Sequence, residues 1–335
     1  MKLEGMHHIT MITGDAQQNV TFYADVLGLR LVKKTVNFDA PEAYHLYFGD
    51  EQGSPGSILT WFEFAGAPKG RSGPGMIHTI QLGVGAEAAL DFWEERLGAR
   101  GVETWRADRS LRFTDYDGLG LELVVADDGN PPLRAEHPEV PTEHAITGVE
   151  GVRAYLGRGK HADRQLLTNV LGFEEVGDPH VGEVEYILRG DERHFHWGYD
   201  IPRERGLQGA GTVHHIAWHS LDDDHVAWQQ RVGDAGMHVT PVIDRDYFNA
   251  IYFRQQQGIL FEIATTSPGF AVDEDAAHLG EGLRLPTQHE HLRPQLERVL
   301  TPLVNPRQGR AGLDPAPTTP AAAPSAPAAD DEARA

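Results

Sequence analysis

One pattern, a strand followed by a helix and three further strands, recurs four times before residue 305 and restricts this chain to very few arrangements. The first copy reads HHITMIT as a strand and AQQNVTFYADVLG as a helix, in which Val20, Tyr23, Ala24 and Leu27 recur at helical spacing and Gly28 closes the last turn. Strands LRLVKKTVNF, AYHLYFGD and SILTWFEF follow. The second copy runs through MIHTIQLGV, the helix AEAALDFWEERLG, and then GVETWRA, SLRFTDYD and GLELVVA. Copy three starts at ITGVEGVRAYLG, and its NVLGFEEVG echoes DVLGLRLVK of copy one. Copy four starts at GTVHHIAWHS, and its DDDHVAWQQRVGDAG echoes the helix of copy two. The pattern predicts an α+β fold of four paired βαβββ modules.

At 335 residues with 40% hydrophobic side chains, the chain has enough apolar material for two domains. We place them at 1–142, holding modules one and two, and 143–304, holding modules three and four. From residue 305 the sequence turns Ala/Pro-rich, with almost no apolar side chain able to join a core, and 305–335 is expected to be a disordered tail. Cysteine is absent, so disulfides and thiolate sites are excluded and any metal must be held by histidine and carboxylate. A formal net charge of -21 argues against nucleic acid or an acidic membrane surface as a partner. No apolar run approaches the roughly 20 residues of a membrane span, and MKLEGMHHIT lacks a basic region followed by an apolar core, so a cytoplasmic location is expected.

Alternation along three strands selects the candidate ligands, because neighbouring side chains on a strand face opposite ways. In the first strand His7, Ile9 and Met11 share one face and His8 and Thr10 the other. In copy four His214, Ile216 and Trp218 oppose His215, Ala217 and His219. In the last strand Ile259, Phe261 and Ile263 oppose Leu260, Glu262 and Ala264. If each apolar face packs on its module's helix, His8, His215 and Glu262 all look into a concave cleft, and so does Tyr252, which lies between Ile251 and Phe253. Two imidazoles and one carboxylate form a facial triad, a ligand set that suits non-haem Fe(II) with three positions left open. The equivalent positions elsewhere lack this set: Thr79 follows His78, Gly151 replaces His8, and Glu122 has no imidazole partners. One site drawn from modules one and four requires those modules to face each other.

The succession MHHIT, AYHLYFGDEQGSPGS, a second histidine pair, DRDYFNAIYFR and GILFEIATT, spread over residues 1 to about 300, resembles the glyoxalase-like, vicinal-oxygen-chelate ring-cleaving dioxygenases of the hydroquinone 1,2-dioxygenase type. The resemblance implies modules paired into two open barrel-like halves. It also implies iron(II), or alternatively Mn(II), on His8, His215 and Glu262, with Arg245, Tyr252, His7 and His214 around it. The implied partners are a small aromatic substrate and O2, and the implied reaction is cleavage of the ring between a hydroxylated carbon and its neighbour. The phase argument turns His7 and His214 away from the cleft, and a bulge or a hydrogen bond from beneath a ligand would reconcile this with the family pattern.

Two other readings fit the same residues. A glyoxalase-like metal-dependent lyase or isomerase would need no O2 and would usually draw a fourth protein ligand from the same four strands, and a resistance protein would only sequester an aromatic compound. A homo-oligomer is left open. His194 and His196 share a strand face but lack a carboxylate in phase, and His289 and His291 read as surface residues. The run Asp222, Asp223 and Asp224 is expected to cap the helix that follows it.

Overall fold

The computed structural model describes residues 1–157, 163–176 and 184–307, and the sixteen strands fall into the four expected modules. Module one supplies β1 (Met6–Thr13), β2 (Arg30–Val36), β3 (Tyr44–Gly49) and β4 (Ile58–Glu63). Module two supplies β5 (Ile77–Val84), β6 (Thr104–Ala107), β7 (Ser110–Thr114) and β8 (Gly120–Val125). Module three contributes β9 (Val149–Tyr155), β10 (Glu174–Val176), β11 (Val184–Arg189) and β12 (His194–Asp200). Module four contributes β13 (Val213–Ser220), β14 (Ile243–Asp244), β15 (Phe248–Arg254) and β16 (Leu260–Pro268).

Two eight-stranded sheets result, in the orders β14-β15-β16-β13-β1-β4-β3-β2 and β10-β11-β12-β9-β5-β8-β7-β6. Module one therefore shares a sheet with module four, and module two with module three. This satisfies the requirement that modules one and four meet, but a division between residues 142 and 143 does not separate the two sheets. The central pairs, β1 with β13 and β5 with β9, are antiparallel, while each module's first strand runs parallel to its last.

In module one Val20, Tyr23, Ala24 and Leu27 are all buried, as their spacing predicts. The segment departs from a uniform α-helix: Ala16–Val20 is α-helical, with Asp15 accepting from the Gln18 amide, and Thr21–Val26 continues as a wider π-helical turn. Leu166–Leu171 in module three repeats that turn, and the Leu-Gly ends of both segments place Gly28 and Gly172 at φ 73° and 84°, where a Cβ would be strained. The acidic run before the helix His225–Asp234 makes no side-chain cap. Asp222 instead accepts from the amides of Thr266 and Ser267 at 3.0 and 3.1 Å, tying the loop to the end of β16. One large core joins the helices and convex faces of both sheets, and a second, smaller one lines the concave face of the first sheet with Val32, Tyr47, Ile58, Tyr247 and Phe270.

The chain after β16 folds back over that concave face. Lys33, fully buried, donates to the Phe270 carbonyl at 2.9 Å, Asp273 Oδ1 at 2.6 Å and Glu274 Oε2 at 2.5 Å, and lies over the Tyr247 ring. The packed body extends three residues into the expected tail, since Asn305 is buried and Arg307 forms two bonds to Glu51; residues 308–335 lie outside the described residues. No helix among the described residues is long and apolar enough to cross a membrane.

Breaking the Lys33 contact leaves the buried Glu274 carboxylate with only the longer approach of Arg284, at 3.4 Å, as a cationic partner. Lys33→Ala is expected to lower unfolding free energy by about 3 kcal/mol, read from urea denaturation, whereas a Lys33→Met/Glu274→Leu double variant recovers most of that loss because the charges left behind, Asp273 and Arg284, are both partly open to solvent.

Candidate metal centre

The central pair β1 and β13 carries one bulge in each strand, and both fall on the first histidine of a pair. Met6 faces Trp218 while His8 faces Ala217, so His7 is the extra residue; Thr10 faces His215 while Met11 faces Val213, so His214 is the extra residue. His8 and His215 keep the phase of the concave face. His7 and His214 are re-aimed, with Nδ1 of His7 3.0 Å from Nδ1 of His8, and Nδ1 of His214 2.8 Å from Nδ1 of His215. A bulge occurs at each pair with a contact between its two imidazoles, from beneath in the case of the buried His7 and from the cavity wall in the case of the exposed His214, so strand phase and family pattern are compatible.

On the concave side the Nε2 atoms of His8 and His215 are 3.3 Å apart, and Glu262 Oε2 lies 3.4 Å from the first and 3.0 Å from the second. All three side chains are buried, and among the described residues this is the cluster of three ligand-type groups whose atoms lie within 4.8 Å of one another. With metal–ligand bonds of about 2.1 Å, ligands at octahedral or tetrahedral angles stand roughly 3.0 to 3.4 Å apart, so the triangle fits one small ion. Neither oxygen of Glu262 accepts a hydrogen bond among the described residues, despite complete burial. A fully buried carboxylate this close to two imidazole nitrogens is a donor set that one shared cation would satisfy.

Electrostatics point the same way. Burial alone would raise the Glu262 pKa, but the His8 and His215 imidazoles outweigh it and hold the carboxyl well below the usual carboxylate range. Burial lowers the pKa of His215, opposed in part by Glu262, and pushes His7 far down and His214 to about 4. His214 achieves this although part of its surface remains open. With His8 Nε2 turned to a bound ion, its Nδ1–H would donate to His7 Nδ1, and the Nε2–H of His7 would reach the Thr265 carbonyl at 3.1 Å. His7 and His214 are thereby placed to hold the ring orientation and tautomer of His8 and His215 should these two bind a metal.

Above the triad lies a cavity of about 410 Å³, lined by Phe38, Phe62, Phe64, Phe248 and Leu260, with Asn37, Asp39, His45, Tyr47, His214, Arg245 and Tyr252 as its polar groups beside the triad. Arg245 sits in the turn between β14 and β15, where its amide donates to the Phe248 carbonyl and Asp246 takes a left-handed φ of 63°. Its Nε donates to the Tyr252 hydroxyl at 3.2 Å, and its guanidinium approaches Asp39 only at 3.7 Å. Burial, reinforced by Glu262 and opposed by Arg245, keeps the Tyr252 pKa far above its ordinary value, so this phenol stays protonated. His45 and Tyr47 were missed in the sequence, although in AYHLYFGD they alternate with Leu46 and Phe48 just as the ligands alternate with core residues.

The second sheet shows the same bulges without the site. His78 is the extra residue of β5, and Thr79 stands at the ligand position, its hydroxyl 2.9 Å from His78 Nδ1. Glu122 faces Gln81 in the register that Glu262 has with Ala217, but it accepts from Gln81, Ser110 and Arg112 at 2.8–2.9 Å. Gly151 cannot be replaced by histidine without movement, since a Cβ there would lie 2.7 Å from the His196 carbonyl oxygen. His196 itself pairs with Asp128, and His289 bonds the Phe38 carbonyl, so neither is part of the triad.

The sequence profile of the Glyoxalase/Bleomycin resistance protein/Dioxygenase superfamily matches residues 5–123 and 163–263, and the chain belongs to that superfamily. It is 46% identical over 307 residues to "Putative ring-cleaving dioxygenase MhqO" of Bacillus subtilis (strain 168), covering 90% of this chain and 97% of that protein. It is 32% identical over 313 residues to "Chlorohydroquinone/hydroquinone 1,2-dioxygenase" of Sphingobium indicum, covering 89% and 96%. A crystal structure of a "putative dioxygenase" from Bacillus subtilis subsp. subtilis str. 168 matches with a TM-score of 0.85 at 44% identity, over 91% of this chain and 98% of the other. Within the superfamily the chain is thus an oxygenase enzyme of the ring-cleaving group.

Removing one of three ligands weakens a metal site severely while leaving the module cores in place. His8→Ala, His215→Ala and Glu262→Ala are each expected to lose most bound metal by elemental analysis with an unchanged circular dichroism spectrum, and Glu122→Gln, whose carboxylate is already satisfied, to keep wild-type content.

Proposed function

We propose that the chain is an Fe(II)-dependent, extradiol-type ring-cleaving dioxygenase that acts on hydroquinone or a related dihydroxyarene with O2, Mn(II) being the alternative metal. The observation that carries this reading is the buried His8, His215 and Glu262 triad at the floor of an aromatic-walled cavity, with a cation-backed phenol in its side. The names of the relatives, hydroquinone 1,2-dioxygenase among them, support the substrate class.

Iron(II) on these three side chains would supply the one-electron chemistry that allows an arene and O2 to react. The protein's own contribution is positioning and charge. Phe62, Phe248 and Leu260 line the cavity and would pack against a flat ring and keep water from it. Tyr252 accepts from Arg245 and interacts with Glu262 through its own O–H, which would turn to an anionic substrate oxygen, and the guanidinium behind it favours the phenolate form.

The lyase reading has less support. Thr10 and Ala217 each follow a ligand histidine by two residues; Ala217 faces Glu262 across the sheet, and Thr10 faces Thr60. The position that would provide a fourth ligand is therefore a threonine, whose hydroxyl is engaged with Thr10 and His45 at 2.9 and 2.8 Å.

Fe(II)-loaded protein is expected to consume O2 in step with hydroquinone loss, and Zn(II)-loaded protein to consume none. Arg245→Ala and Tyr252→Phe should keep wild-type iron content but slow ring cleavage on the order of 10- to 1000-fold. Wild-type turnover in both, or substrate conversion without oxygen uptake, would redirect attention to the lyase.

A further inference from the structure

The pseudo-symmetry that relates Thr60 to Glu262 also relates two tyrosines. Tyr252 on β15 faces Glu262, and Tyr47 on β3 faces Thr60, so both occupy the same place in their modules. They stand two strands out from the central pair, on opposite sides of the triad, and both line the cavity. Their backing differs. Behind Tyr252 is a cation, Arg245, donating to its oxygen at 3.2 Å; behind Tyr47 is an imidazole, with Nδ1 of His45 2.9 Å from the Tyr47 hydroxyl.

The His45 ring is held from its far side as well. Its Nε2 lies 2.8 Å from Thr60 Oγ1, which is 2.9 Å from Thr10 Oγ1, and both threonines are fully buried. A phenol O–H is a far better donor than a neutral imidazole N–H, and imidazole nitrogen a better acceptor than phenol oxygen. Tyr47 therefore donates to Nδ1, and His45 donates through Nε2–H to Thr60. Burial drives the Tyr47 pKa up and the His45 pKa down, which keeps both groups neutral at rest. With its proton committed to His45, the Tyr47 oxygen offers the cavity lone pairs only, the opposite polarity to Tyr252.

We propose that Tyr47 is the acceptor for the substrate hydroxyl that Tyr252 and Arg245 do not hold, and that His45 takes the proton when that hydroxyl ionises. In this step the substrate O–H bond breaks, an O–H bond forms on Tyr47, and the original Tyr47 proton moves to His45 Nδ1. A phenolate and an imidazolium result, and no electrons are exchanged. The inference rests on the dihydroxyarene reading above, and it makes Tyr47 a residue that tells a ring with two hydroxyls from a ring with one.

The test is anaerobic calorimetry of hydroquinone and phenol on iron-loaded protein, paired with oxygen uptake and thermal melts. Wild type should bind hydroquinone about 10-fold or more tightly than phenol. Tyr47→Phe should erase that preference by weakening hydroquinone alone, while Tyr252→Phe keeps it. His45→Gln, which still accepts from Tyr47 but cannot take a proton, should preserve the preference and lower kcat on the order of 100-fold. An intact preference in Tyr47→Phe, or an equal loss for both ligands, overturns the acceptor role. Wild-type kcat in folded His45→Gln overturns the proton transfer. If wild type itself takes up no oxygen with hydroquinone, the dioxygenase reading fails, an outcome separate from either.

Discussion

The antiparallel pairing of β1 with β13 is the contact on which the site depends. It joins the first and last modules of the chain and sets His8 and His215 beside each other, while the parallel partner β16 brings Glu262 to the same level. A slip of one residue would turn these side chains into the apolar core. The bulges at His7 and His214 add one residue to each strand without changing the phase of the ligands, and thereby make room for a supporting imidazole behind each one. Neutral, buried imidazoles and one ionised carboxylate are costly to assemble in a dry sheet, and the mutual approach of all three atoms is what a shared cation would offset.

The second sheet shows how the same framework behaves without that demand. The bulge survives at His78, and the glutamate survives at Glu122, but the carboxylate is neutralised by Arg112 and satisfied by Gln81 and Ser110. Where the other sheet has His8, this one has Gly151, tucked beneath the His196 carbonyl. Nearby, Arg153 ties Glu185 to Asp200 across three strands. Charge pairing holds the second concave face together, whereas the first is held by apolar packing and by the Lys33 contact to the returning chain.

Much of this was legible because the strand period is two and three separate strands agree on one phase. His8, His215 and Glu262 each alternate with core residues such as Ile9, Ile216 and Phe261, so local pattern sufficed. The partnering of modules was less accessible: it depends on hydrogen bonds between β1 and β13, some 200 positions apart, and the division at residue 142 followed chain order instead. Bulges at His7 and His214 leave no mark in an alternating sequence, because the extra residue is defined only against its partner strand. His45 and Tyr47 carry the right alternation, yet their significance comes from Thr60 and Thr10 on neighbouring strands. Arg307 falls inside the Ala/Pro-rich composition that masks its contact with Glu51.

Threonine at position 60, where pseudo-symmetry with Glu262 would allow a second carboxylate, has an electrostatic consequence on the proposed reading. One carboxylate and two neutral imidazoles around a divalent ion leave a net charge of about +1, enough to favour a single phenolate oxygen over a neutral phenol. Two carboxylates would cancel the ion's charge and remove that preference. The remaining cation in the wall is Arg245, behind the donor Tyr252 and 3.7 Å from the exposed Asp39, while the opposite wall presents the neutral His45 behind Tyr47. The cavity is therefore polarised across its width, favouring an ionised oxygen beside Arg245 and a protonated one beside Tyr47, which suits a monoanionic dihydroxyarene as the form that binds, before His45 takes the second proton.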